Sequence, residues 1–194
     1  MWDFQRKEGI YIITLAQNVQ SVRMNVNAIA VITKHFVFLY NLSSFELIQR
    51  LTLNYHLGRV VLTHNEKGLY PFMFYSDSLD NGFLNVYNME TNKNQRVILA
   101  HKSAVLTIAT NAVGDIVATS STFGEVIRLW STMTGQKLCS FEKSRASILT
   151  SLQISRSSKF ITACDSNANM FIYRIPLETI TEDLETNDIA IPQQ

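Results

Sequence analysis

The chain has 194 residues, of which 46% are hydrophobic and 17% charged, a composition that excludes a disordered polymer and is sufficient for a buried core. Seventeen Lys and Arg against sixteen Asp and Glu leave a net charge of +1, so no whole-chain bias selects a polyanionic partner. The longest apolar stretch, residues 28–40, is interrupted by Lys34 and His35 and is too short to span a bilayer as a helix.

In chain order, short apolar runs alternate with turn residues. Met1-Trp2-Asp3-Phe4-Gln5-Arg6-Lys7-Glu8 lacks the basic-then-apolar order of a secretory signal, which places the chain on the cytosolic side and its two cysteines in a reducing compartment. Strands are expected at 2–5 and 11–15, then at 21–25, 28–32, 36–40 and 46–53. A second group falls at 60–62, 70–75, 83–87 and 95–99, with turns at 77–82 and 89–94. The third group is the best formed: strands at 104–109, 116–120, 126–130 and 137–141 are separated by turns at 111–115, 121–125 and 132–135. The fourth has strands at 149–154, 160–164 and 170–174 and stops before a fourth strand. Helix is confined to one possible turn at 177–184. Cys139 and Cys164 fall on strands expected to be neighbours and read as small half-buried thiols rather than a disulfide or metal site.

Four aromatics close the third run of each group. Tyr40, Tyr87, Trp130 and Tyr173 lie 47, 43 and 43 residues apart, the length of one propeller blade. The fold class is therefore all-β, a WD-repeat-type propeller of about four four-stranded blades, incomplete at both ends. Residues 1–175 form the partial propeller and 176–194 an acidic, flexible tail. That tail holds five acidic residues and no basic one, which leaves the body at +6. The excess is steepest from 137 to 174, where six basic residues face Glu142 and Asp165. Such an excess favours an anionic surface, and equally suits a solvated sheet edge protected by Lys and Arg.

No catalytic constellation stands out. His35, His56 and His64 are scattered, with no cysteine or carboxylate at metal-ligand spacing, so neither a metal nor another cofactor is expected. Phosphate loops, nucleophile elbows and zinc-protease helices are absent, and no enzyme is expected. Nucleic-acid binding would need free aromatics among the basic residues, whereas Phe141, Phe160, Phe171 and Tyr173 occupy strand positions that a blade core claims.

One family has segments in this order. Leu99-Ala100-His101-Lys102-Ser103-Ala104-Val105-Leu106, then Val113-Gly114-Asp115-Ile116-Val117-Ala118-Thr119-Ser120-Ser121 and Val126-Ile127-Arg128-Leu129-Trp130, resembles the central blade of the PROPPINs. These are WD-repeat propellers that bind phosphoinositides in autophagy. The resemblance covers most of residues 1–175 and implies about half of a seven-bladed ring. It implies a non-enzymatic peripheral adaptor recruited by phosphatidylinositol 3-phosphate or the 3,5-bisphosphate to phagophore, endosomal or vacuolar membranes, with autophagy proteins and no nucleic acid as partners.

The resemblance departs at the lipid motif. Where the family carries Phe/Leu-Arg-Arg-Gly, with one arginine for each of two rim pockets, this chain reads Phe141-Glu142-Lys143-Ser144-Arg145. Paired guanidiniums fork onto phosphate oxygens; Glu142 repels phosphate, and Lys143 offers only a point charge. His101 and Ser121 match the family's site histidine and serine, while Glu125 stands for its site threonine. The second pocket holds Cys164, Asp165 and Asn169 in place of Ser and Thr. The resemblance thus marks His101, Ser121, Lys143 and Arg145 as lipid-binding candidates. A structural hydrogen-bond role for His101 stays open beside it, as does a degenerate relative serving only as a protein-interaction scaffold.

Overall fold

The computed structural model describes residues 2–3, 8–9, 11–53, 59–64, 71–143 and 147–176. Turn chemistry divides the chain into sheets. Side-chain oxygens of Asn41, Asn88 and Ser131 each accept backbone N–H groups two or three residues ahead, closing the hairpins that follow the aromatic-ended strands. In the third of these hairpins Gly135 takes φ +75°, a conformation that side chains with a Cβ disfavour.

The first element is a two-stranded ribbon, β1 (Trp2–Asp3) and β2 (Glu8–Gly9). The first full sheet contains β3 (Ser21–Met24), β4 (Ala28–Ile32), β5 (Phe36–Asn41) and β6 (Leu47–Thr52). The second contains β7 (Val60–Leu62), β8 (Phe72–Tyr75), β9 (Gly82–Asn88) and β10 (Lys93–His101). The third contains β11 (Val105–Thr110), β12 (Ile116–Ser121), β13 (Val126–Ser131) and β14 (Lys137–Glu142). The fourth holds β15 (Leu149–Ile154), β16 (Phe160–Asp165) and β17 (Met170–Arg174). Each sheet is an antiparallel meander in chain order, and no helix occurs among the described residues. This is the all-β propeller architecture that the spacing implies.

The spaced aromatics occupy equivalent places. Tyr40, Tyr87, Trp130 and Tyr173 stand on the third strand of successive sheets, paired with Ile29, Met73, Val117 and Ile161 on the second. Register shifts recur beside this position, at Leu39/Tyr40 in the first sheet and Leu129/Trp130 in the third.

Sheets stack because each interior sheet buries both faces. Ala28, Ala30 and Ile32 point to a core shared with Val60, Met73 and Tyr75 of the second sheet. Phe72 and Phe74, the alternate residues of β8, point the other way, to a core with Val105, Val117 and Trp130 of the third. Ile116 and Ala118 then face Leu149, Leu152 and Ile161 of the fourth. The first strands make the sequential contacts: β3 meets β7, β7 meets β11 and β11 meets β15.

Several expectations need correction. Residues 11–15 form no strand; Ile13 and Leu15 instead cover the outer face of the first sheet at Ile29, Val31 and Tyr40, while Tyr11 stacks on Phe45 at 4.9 Å. An apolar segment satisfied by side-chain packing needs no ladder partner. Cys139 and Cys164 are free, half-buried thiols as expected, but they lie in different sheets, on β14 and β16. Phe160 is exposed rather than in the core. The turn at 177–184, and all of the acidic tail beyond Pro176, lie outside the described residues.

Stacking of this kind makes a direct prediction. Leu129, fully buried between the third and fourth sheets, should cost about 2–5 kcal/mol when replaced by Ala, whereas half-exposed Leu47 should cost about 0.5 kcal/mol or less. Urea unfolding of Leu129→Ala and Leu47→Ala checks this, and equal costs would contradict the stacking.

Candidate functional site

Two polar clusters flank the third sheet. The first surrounds His101, the last residue of β10, which a register shift sets opposite Gly82. Its imidazole is buried, with Nε2 2.9 Å from the Thr119 hydroxyl on β12. The Trp130 indole N–H on β13 donates to the same Thr119 oxygen at 2.9 Å. Burial and, secondarily, the neighbouring Arg128 cation push the His101 pKa down to about 4. The ring is neutral at pH 7, and its Nε2 shares one hydrogen bond with the Thr119 hydroxyl, whose oxygen also accepts from the indole. Arg128 donates from a guanidinium N–H to the Ala100 carbonyl at 2.7 Å, tying the third sheet back to β10. His101 therefore sits in the structural network that the sequence left open beside lipid binding.

Ser121 ends β12, is buried, and pairs with Val105. Its carbonyl accepts from the Gly124 N–H, closing the turn into β13. Gly124 has φ +63°, and a Cβ there would sit 2.0 Å from the Ser147 carbonyl, so the glycine lets this turn approach the fourth sheet.

The second cluster lies at that approach. Lys143 follows β14, its backbone N–H donating to the Glu125 carbonyl at 2.9 Å. Its ammonium is buried and donates to the Ser147 carbonyl at 2.8 Å and hydroxyl at 2.6 Å. Ser147 in turn donates its hydroxyl proton to Asp165 Oδ2 at 2.5 Å, and Asp165 stands 4.0 Å from the ammonium. The Phe171 ring lies 5.2 Å from the same cation. Beneath it, Phe141 stacks on Tyr173 at 4.9 Å and Tyr173 on Phe171 at 6.4 Å. Asp165 also accepts the backbone N–H groups of Asn167 and Asn169 and the Asn169 amide. Its carboxyl is held well below the ordinary carboxylate range, first by the Ser147 hydroxyl and then by the Asn169 and Asn167 donors. Burial lowers the Lys143 pKa, and Asp165 partly offsets that shift.

The structure thus joins Lys143, Asp165 and Asn169 into one network and holds His101 in another. Glu142 and Glu125 are exposed beside the Lys143 backbone. Cys164 lies next to Asp165 on β16 with a half-buried thiol. Ser144 and Arg145 lie outside the described residues. Sequence reasoning missed Thr119, which the alternation of β12 places two residues before Ser121, and Ser147, for which no spacing signal exists. No group of three or more His, Cys, Asp or Glu that could hold a metal occurs among the described residues. No helix there is long and apolar enough to cross a membrane.

Meandering four-stranded sheets stacked through their first strands define a β-propeller of WD-repeat type. The profile of the PROPPIN family matches residues 1–188, and the chain belongs to that family. It is 29% identical over 177 residues to WD repeat domain phosphoinositide-interacting protein 1 of Xenopus laevis, covering 89% of this chain and 40% of the relative. It is 26% identical over 163 residues to autophagy-related protein 18 of Caenorhabditis elegans, covering 82% of this chain and 39% of that protein. The chain therefore spans about two-fifths of the length of these curated relatives. Among solved structures it matches Hsv2 of Kluyveromyces marxianus with a TM-score of 0.77 at 16% identity, over 89% of this chain and 55% of that one. It matches KlAtg21 in complex with the coiled-coil of AgAtg16 with a TM-score of 0.79 at 20% identity, over 91% and 58%. These two likenesses establish the fold.

The His101 environment sets a pH dependence. A histidine whose folded pKa is depressed from 6.5 to about 4 contributes stability that is present above pH 6.5 and is lost as pH falls toward 4. Between pH 7 and pH 5 this amounts to about 2 kcal/mol. His101→Gln, which cannot protonate, should lose about that much less than the parent protein over the same interval. Urea titrations at both pH values measure it, and identical losses would contradict the buried neutral ring.

Proposed function

We propose that this chain is a non-enzymatic peripheral adaptor of autophagic membranes that recognises phosphatidylinositol 3-phosphate or the 3,5-bisphosphate. The observation that carries this reading is a PROPPIN profile match running through the lipid-motif position, where Lys143 keeps a cation. The names of the relatives, phosphoinositide-interacting and autophagy-related, support the same class of partner. Phosphate would replace the Asp165 carboxylate as counter-charge to the Lys143 ammonium, and Arg145 would add a second cation from outside the described residues. His101 and Ser121 would support the rim from their buried positions rather than touch the headgroup. Protein partners would be autophagy proteins, in keeping with the coiled-coil complex of a structural neighbour. The chain would work on the cytoplasmic surface of phagophore, endosomal or vacuolar membranes.

A specific feature favours a second reading, a family member that acts only as a protein-interaction scaffold. The Lys143 ammonium is already satisfied by Ser147 and Asp165, and exposed Glu142 stands where the family's first arginine would be. An anion entering this pocket meets an occupied cation.

Liposome flotation separates the two. Under the lipid-binding reading, vesicles carrying either phosphoinositide recover several-fold more protein than neutral ones. Lys143→Ala with Arg145→Ala abolishes the difference, and Asp165→Ser enlarges it. Equal recovery on all vesicles by the unaltered chain overturns lipid recognition. Binding gained only when Glu142→Arg and Lys143→Arg are combined supports the scaffold reading.

A further inference from the structure

The fourth sheet repeats a face that the third sheet buries. Ile116, Ala118, Ile127 and Leu129 of the third sheet pack against the fourth, and strand pairing places Phe160, Thr162, Met170 and Ile172 at the corresponding positions of the fourth. Phe160, Met170 and Ile172 are 45%, 66% and 60% exposed, whereas none of the four on the third sheet exceeds 6%. Cys164 lies on the same face, opposite Met170, with a half-buried thiol. Apolar side chains grouped on one exposed sheet face mark an interaction surface.

That sheet is also basic. Residues 149–176 hold three basic residues and a single acid, Asp165, whose carboxylate is already engaged by Ser147, Asn167 and Asn169. Arg174 pairs with Phe160 across the strands, and Lys159 directly precedes Phe160. Both cations are exposed, and no described carboxylate pairs with either. The chain leaves β17 at this basic end, where the Ile175 N–H donates to the Lys159 carbonyl at 2.8 Å. Residues 177–194 follow Pro176 there, with five acidic residues, no basic one, and Leu177, Ile180, Leu184, Ile189 and Ile191 interspersed.

We infer that residues 177–194 dock back on this face, their Leu and Ile side chains against Phe160, Met170 and Ile172 and their carboxylates beside Lys159 and Arg174. Charge selects this occupant, because an acidic segment free of basic residues complements a basic sheet and begins beside its two exposed cations. Length permits it: β17 spans about 17 Å, and the segment reaches up to about 60 Å when extended, enough for a reversal and a return along the sheet. Surface ion pairs are individually weak, but tethering raises the effective concentration of the partner. The docked segment screens Lys159 and Arg174 from anionic surfaces, and salt weakens its hold. None of this depends on lipid binding at the Lys143 rim.

The rate at which iodoacetamide alkylates Cys164, in the full chain carrying Cys139→Ser, tests this because the docked segment covers that thiol's face. Alkylation is expected to be slow at about 0.05 M salt and several-fold faster at about 0.5 M, where charge pairing is screened. Arg174→Gln with Lys159→Gln should give a several-fold acceleration at low salt and remove most of the salt effect. Ile180→Ser with Leu184→Ser should also accelerate alkylation, and since it alters no charge it separates cover from a change in thiol acidity. The exposed-surface control Lys93→Gln should leave the rate unchanged. An unchanged rate in either double variant overturns the proposal, as does an equal acceleration in Lys93→Gln, which would mean a general charge effect. A rate that falls as protein concentration rises would make a second copy the occupant and overturn it as well.

Discussion

Two-sided burial of every interior sheet is the constraint on which the rest of the structure depends. A strand has a side-chain period of two, so alternate residues of β8 and β12 serve different neighbours: Met73 and Tyr75 face the first sheet while Phe72 and Phe74 face the third. A slip of one residue would exchange these sets and present each core with the wrong shapes. This explains why β8 reads as a continuous apolar run, and why β4 is buried at every position. It also fixes where each turn emerges, and the polar clusters depend on those turns.

The junction between the third and fourth sheets shows the connection from packing to chemistry. Gly124 brings the turn after β12 against the Ser147 carbonyl, and the Phe141–Tyr173–Phe171 stack fills the space below. Lys143 is then close enough to Ser147 and Asp165 to leave solvent without becoming an unpaired charge. Burying one member of such a network alone would be costly, so Lys143 and Asp165 act as a unit. Where a lipid-binding rim needs a cation open to phosphate, this junction already supplies an anion of its own.

The fold was legible because its determinants are local and periodic. Alternating apolar residues between Asx and glycine turns specify strands, and 149–154 and 170–174 match β15 and β17 to the residue. Tyr40, Tyr87, Trp130 and Tyr173 mark the third strand of each sheet because the repeat places them in equivalent pairs. Residues 11–15 misled because apolar packing against a sheet face and pairing at its edge leave similar sequence patterns. The site was legible in part. Lys143 and the Asp165 turn could be placed by motif position, but their contact runs between sheets through Ser147, and no sequence period encodes a partner across sheets. Thr119 was accessible in principle, since the β12 alternation puts it on the same side as Ser121 and beneath Trp130.

The central claim is that the rim cation Lys143 is held internally by Ser147 and Asp165. Nitrogen-15 NMR of lysine side-chain ammonium groups tests it most directly, because a buried, hydrogen-bonded ammonium exchanges its protons slowly while exposed ones exchange too fast to observe near neutral pH. The account predicts one protected ammonium signal that is absent in Lys143→Met and disappears in Asp165→Asn. A Lys143 ammonium that exchanges as fast as those of exposed lysines such as Lys93 and Lys159, or a protected signal unchanged by Asp165→Asn, would contradict it.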